Sequence, residues 1–184
     1  MKKINAALGL LSIIFMFLHI GYTVYAYLAY YYNPLLKIVF AVPFMVLVCL
    51  HAICGMLTVF MQSDGTRMDL YTRHNLKTVL QRVSAALIFP LLILHINTFS
   101  LLKACSERKM TFFIILLFLS ELLFFATVLI HVSISLTKGL VTLGILTSVE
   151  TQKNLDRIIY IICAVIYIVS VCSVLRTQIG MFLN

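Results

Sequence analysis

Four histidines, His19, His51, His95 and His131, stand inside long apolar runs of a 184-residue chain. Imidazole is costly to place in hydrocarbon, so in such surroundings it faces protein, water or a metal rather than lipid. The run QRVSAALIFPLLILHI, Gln81 to Ile96, ends on one of them, and INAALGLLSIIFMFLHI, Ile4 to Ile20, ends on another. Gly9 and Ala85 each lie ten positions before their histidine, and Ile20 and Ile96 follow it directly. Offset and register agree without a gap, so the two runs form an internal repeat. Imidazoles in this pattern suit axial ligation of a metal cofactor. The competing use is hydrogen bonding between helices, or a proton path without metal.

The elements that must carry these side chains follow from composition. The chain is 62% hydrophobic and 11% charged, where an average soluble domain has about 25% charged residues. A bilayer span takes about 20 mostly apolar residues, and five such segments are readable, at roughly 5–31, 35–61, 79–102, 110–137 and 157–182. Residues 1–184 therefore read as one all-α membrane domain with five transmembrane helices, of which the first four form the histidine-bearing bundle. A net charge of +8 invites a nucleic-acid reading, but the basic residues sit in small groups at segment ends, which is a topology signal. Placing Lys2 and Lys3 inside puts Arg67, Arg73, Lys77, Arg82, Lys138, Lys153 and Arg157 with them. The outer side keeps Lys37, Lys103, Arg108, Lys109 and Arg176. The excess predicts a multi-pass protein of the cell (inner) membrane, surrounded by lipid, with a cytoplasmic N-terminus and no nucleic-acid partner.

Depth sorts the histidines. At about 1.5 Å per residue, His19 and His95 fall roughly 10–15 Å below the outer surface, and His51 and His131 roughly 9–15 Å from the inner one. Each leaflet then holds one pair, drawn from two different helices. A haem b is a flat plate whose axial ligands approach from opposite faces, so two imidazoles on facing helices clamp it, and a bundle interior is where such sites are built. Two haems b per chain are expected. Four imidazoles at two depths do not close one tetrahedral zinc site.

Neighbouring residues extend the site. Gly55 and Ser135 follow His51 and His131 by four positions, and Thr23 has that place after His19, giving small residues on the same helical face. Lys138, seven after His131, and Arg82, at the inner end of the third segment, are candidate partners for haem propionates; both also fit plain positive-inside anchoring. Glu121 is the one carboxylate deep in a span, ten residues before His131 and turned about 80° from it. It is a candidate for proton transfer or a quinol site, or for a hydrogen bond to another helix.

Other features carry less. The five cysteines lack metal spacing and no CxxCH occurs, so they read as small apolar packing residues. Asn33-Pro34 predicts a tight turn. Pro43 falls in the first turns of the second helix, and Pro90, five before His95, predicts a kink that either opens space for a cofactor or serves packing. Ser63 to Lys77 reads as a solvated inner loop or a docking surface for a peripheral subunit, with His74 exposed and not a ligand. Lys138 to Asp156 reads as a second inner loop, with Gly139 to Gly144 along the interface. The fifth helix, from Arg157, carries no histidine and no internal acid and reads as a structural partner.

With QRVSAALIFPLLILHI, HAICGM and HVSISLTKG, the chain resembles the membrane anchor of the succinate dehydrogenase and fumarate reductase superfamily, in its single-subunit, five-helix, dihaem cytochrome b form. The resemblance implies that His19 and His95 bind one haem and His51 and His131 the other, the pairing that depth gives. It further implies electron transfer between a membrane quinone, menaquinone or ubiquinone, and peripheral flavoprotein and iron–sulfur subunits. Alternative readings are the haem b anchor of another respiratory oxidoreductase, such as a hydrogenase or formate dehydrogenase, and a haem-free helical transporter or assembly protein.

Overall fold

Asn33 shows how the sequence folds locally. Its Oδ1 accepts the amides of Leu35 (2.9 Å) and Leu36 (3.2 Å), capping a helix that opens on Pro34, where a missing N–H costs nothing. Tyr22 latches the same turn: its hydroxyl donates to the Asn33 carbonyl at 2.8 Å and accepts the Asn33 amide at 2.7 Å. The computed structural model describes residues 1–61 and 72–183, with side chains for residues 1–58 and 76–183. The described residues form an all-α protein of five helices: α1 Lys2–Ala29, α2 Pro34–Met61, α3 Thr72–Glu107, α4 Thr111–Leu143 and α5 Val149–Phe182. All five are long and apolar enough to cross a membrane.

The helices outrun the expected spans. α3 begins at Thr72 rather than about 79 and ends at Glu107 rather than 102, and α5 begins at Val149 rather than about 157. Hydropathy marks where lipid stops, whereas Gln, Lys and Glu carry a helix onward into water. The second inner loop shrinks accordingly. α4 continues to Leu143, so only residues 144–148 separate it from α5. Gly139 to Leu143 forms the last turn of α4 rather than a separate segment. A Cβ on Gly139 would sit 3.4 Å from Leu10 Cδ2 and 3.9 Å from the Ala6 carbonyl, which packs this turn on α1. Gly144, at φ 79°, is the left-handed cap that ends α4. Pro43 stands ten residues into α2, inside the helix rather than in its first turns. α3 runs through Pro90 as one helix, with Pro90 exposed. The expected docking surface from Ser63, with Asp64, Arg67 and Asp69, lies outside the described residues, as do the side chains of Arg73 and His74.

α4 is the hub of the fold. It packs against α3, α5 and α1, while α2 packs broadly on α1 alone. No described side chain of α2 is buried, whereas α4 buries a continuous face including Ile114, Phe118, Glu121, Phe124, Val132 and Thr137. Met16, Leu129, Val132, Ile159 and Cys163 fill the centre between α1, α4 and α5. Leu102, Ile114 and Phe118 form a second cluster beside Leu175 and Phe182. In lipid such contacts stabilise through close packing and interhelical hydrogen bonds rather than through water exclusion.

Polar contacts fix the ends. Asp156 accepts from Thr137 and pairs with Lys77 at 3.3 Å, joining the starts of α3 and α5 to the end of α4. At the opposite end Ser106 donates to the Phe182 carbonyl at 3.2 Å, and Gln178 Nε2 lies 3.4 Å from the Tyr27 hydroxyl. The helices therefore alternate in direction from α1 to α5. α1 packs against both α2 and α4, and α4 against α3, so the helix pairs α1/α3 and α2/α4 stand diagonally rather than side by side.

Candidate functional site

The four helices each turn one histidine toward the interior. His51 and His131 meet across the α2/α4 diagonal, in the half that holds the helix ends Lys2, Met61, Thr72 and Leu143. Their ring centroids are 6.4 Å apart, with an angle of 67° between planes. His51 Nδ1 lies 3.0 Å from the Asn5 carbonyl. His131 Nδ1 lies 3.1 Å from the Gln81 carbonyl and 3.1 Å from Ser84 Oγ. A carbonyl oxygen only accepts, so Nδ1 carries the proton in both rings and Nε2 keeps the free lone pair.

These carbonyls obey the internal repeat. Asn5 precedes His19 by fourteen residues, and Gln81 precedes His95 by fourteen. Each anchors the histidine of the helix that follows in its hairpin or packs beside it: α1 serves α2, and α3 serves α4. The repeat is not perfect. Gly9 lies against His51, where a Cβ would come 2.9 Å from Cε1 and 3.1 Å from Nδ1. Its counterpart Ala85 is exposed, and Ser84 one position earlier takes the contact with His131.

His19 and His95 occupy the other half, on the α1/α3 diagonal. Gly9 is level with His51 and His19 stands ten residues further along α1, so the two levels are about 15 Å apart. Each of these two histidines stacks on a phenylalanine: His19 on Phe44 at 6.0 Å and 22°, His95 on Phe124 at 4.6 Å and 23°. The Nδ1 of His19 is buried without a hydrogen-bond partner among the described residues, an arrangement that costs about 1–3 kcal/mol. His95 Nδ1 is held by Glu121, at 2.9 Å from Oε2 and 3.1 Å from Oε1. Glu121 is 3% exposed, and Thr98 Oγ1 donates to its Oε1 at 2.6 Å. The hydrogen bond to another helix is thus present, and it runs to one of the four histidines.

Lys138, Arg82 and Gly55 fall in the half of His51 and His131. Lys138 Nζ donates to Gln81 Oε1 at 3.0 Å and to Thr78 Oγ1 at 3.2 Å, and Gln81 Nε2 donates to Ser135 Oγ at 2.9 Å. Lys138 is therefore bonded to Gln81, the residue whose carbonyl anchors His131. Arg82 is half-buried beside it in sequence and makes contacts of its own. Gly55 lies by Asn5, whose Oδ1 would be 3.7 Å from an added Cβ. Thr23 turns its hydroxyl back to the His19 carbonyl at 2.8 Å, so it serves its own helix. Among the described residues no three His, Cys, Asp or Glu side chains converge on one point. Sequence reasoning missed the parts of Asn5, Gln81, Ser84 and Thr98; the fourteen-residue offset would have flagged the first two. Protein families, curated proteins and solved structures were compared with the chain, and none matches.

Proposed function

We propose that the chain is a membrane dihaem cytochrome b subunit, passing electrons between the quinone pool, menaquinone or ubiquinone, and a peripheral flavoprotein and iron–sulfur oxidoreductase of the succinate dehydrogenase/fumarate reductase kind. The observation that carries this reading is the facing of His51 and His131, each with Nδ1–H tied to a backbone carbonyl. Metal-bound imidazole is commonly oriented by such a bond at its other nitrogen. Two bonds of about 2 Å to one metal, with the rings extending beyond, put imidazole centroids about 6 Å apart, and the observed spacing is 6.4 Å.

Haem b, held by His19 and His95 at one level and by His51 and His131 at the other, would supply a one-electron carrier at each. The chain's own residues do the rest. Asn5, Gln81 and Ser84 fix the tautomer and direction of the inner imidazoles. Gly9 makes room for the His51 ring. Lys138 and Arg82 offer cationic groups near the inner site, where propionates would carry negative charge. His19 and His95 offer the outer pair, and the buried Nδ1 of His19, without a partner among the described residues, supports a further group at that level. Two histidine levels about 15 Å apart on the helix rise support one carrier in each half of the bundle. The side bearing Lys2, Lys77, Lys138 and Arg157 is the cytoplasmic one by charge. Purification of the native complex tests the partner assignment. Co-elution with flavoprotein and iron–sulfur subunits supports it, and elution with another respiratory oxidoreductase, or alone without haem, refutes it.

A further inference from the structure

The four histidines differ in what holds their Nδ1. His51 and His131 have neutral carbonyls, from Asn5 and from Gln81 with Ser84 beside it. His19 has none. His95 alone has a carboxylate, with both Glu121 oxygens within 3.1 Å. That carboxylate is buried to 3% exposure and is surrounded by apolar side chains on its own face, Phe118 and Phe124, in a stretch where little else is polar. Thr98 adds a second donor. Its hydroxyl has two acceptors in range, Glu121 Oε1 at 2.6 Å and the Leu94 carbonyl at 2.9 Å, and the shorter contact takes the proton.

A hydrogen bond to an ionised acceptor is shorter and about twice as strong as a neutral one, and low surrounding polarity strengthens it further. When the donor is an imidazole, the bond raises the basicity of the opposite nitrogen. A more basic axial ligand favours the oxidised iron, which carries one more positive charge, over the reduced iron.

We propose that Glu121 is a positioning residue of the outer site that, by accepting the Nδ1–H of His95, sets the iron held at His95 Nε2 to a lower reduction potential than the iron of the inner site. This rests on the dihaem reading. Two sites of the same ligand type thereby become unequal, and an electron entering the bundle settles at the inner level. Thr98 moderates the effect, because a carboxylate that already accepts one hydrogen bond pulls less on His95. Neither residue would be chosen for this from spacing alone: Glu121 and His95 lie on different helices and the pair exists only through the way α3 turns its face to α4.

The test is a redox titration of the full-length chain carrying its haems, followed at the α-band. Wild type is expected to show two one-electron transitions, the lower of which disappears in His95→Ala. Glu121→Gln keeps size and hydrogen bonding but removes the negative charge. The lower transition should rise by a tenfold shift in the oxidised-to-reduced ratio or more, about 59 mV for one electron, while the upper one stays. Thr98→Val removes the second donor, so the lower transition should fall. Opposite signs from two substitutions at one carboxylate are not produced by loosened packing. Wild-type potentials in Glu121→Gln with both haems bound, or shifts of the same sign in both variants, would overturn the proposal. Should Glu121→Gln fail to hold its outer haem, Thr98→Val decides: a fall supports the proposal, and an unchanged or raised potential overturns it. A wild-type chain with fewer than two haems overturns the dihaem reading itself, whereas two haems with unmoved potentials overturns this inference alone.

Discussion

Gly9 of α1 lies directly against the ring of His51 on α2. A side chain at this position would have its Cβ 2.9 Å from His51 Cε1, closer than packed atoms come, so the ring must move or the helices must part. Gly9→Ala should destabilise by about 1–3 kcal/mol, the usual cost of overpacking, and should disturb the inner site while sparing the outer one. Ala85, its counterpart in the repeat, is exposed, so Ala85→Leu should stay within about 0.5 kcal/mol of wild type. Thermal unfolding in detergent, read beside the visible spectrum, compares the two. Equal effects would mean that the ring contact is unimportant.

The pairing of histidines predicts which substitutions act alike. His51→Ala and His131→Ala should each remove the same redox transition, and His19→Ala and His95→Ala the other. Potentiometric titration of the four variants decides this. Loss of one common transition in His19→Ala and His51→Ala would break the assignment by level.

Asp156 joins three helices at the end that holds the starts of α3 and α5. Asp156→Ala leaves the hydroxyl of Thr137, 1% exposed, without the acceptor it has in wild type, and should cost about 1–3 kcal/mol. Lys77 is half exposed in the same contact, so Lys77→Ala should cost less than about 1 kcal/mol. Melting temperatures of the two variants give the order, and a larger loss for Lys77→Ala would reverse it.

Tyr22→Phe removes both hydrogen bonds that tie the hydroxyl to Asn33. Each is worth about 1 kcal/mol, and the effect should be local to the α1–α2 turn. Hydrogen exchange at the Asn33 amide should quicken in this variant, with amides near His131 unchanged.

What the sequence made legible was set by the range of each signal. Apolar length identified five helices, and Asn33-Pro34 marked a turn, because both depend on neighbours in the chain. Helix ends at Thr72, Leu143 and Val149 were missed because hydropathy follows lipid and not the backbone hydrogen-bond ladder. The sequence also put all four histidines on interior faces, and it paired His51 with His131 in depth. It could not supply the rotation of α3 against α4, which alone brings Glu121 to His95. Asn5 and Gln81 act through backbone carbonyls, so residue type gives no clue to their role, and only their shared offset of fourteen residues from the repeat histidines marks them. α4 emerged as the hub because of a stripe of buried small and polar residues, Thr127, Ser133, Thr137 and Gly139, that a search for histidines passes over.

Haem content of the purified full-length chain, measured against protein with the reduced absorption spectrum, bears most directly on the dihaem reading. Two haems b per chain are expected, with the sharp α and β bands of bis-histidine, low-spin iron, and with loss of one haem when His51 or His131 is replaced. A value near one or zero, or a visible spectrum without those bands, would contradict it.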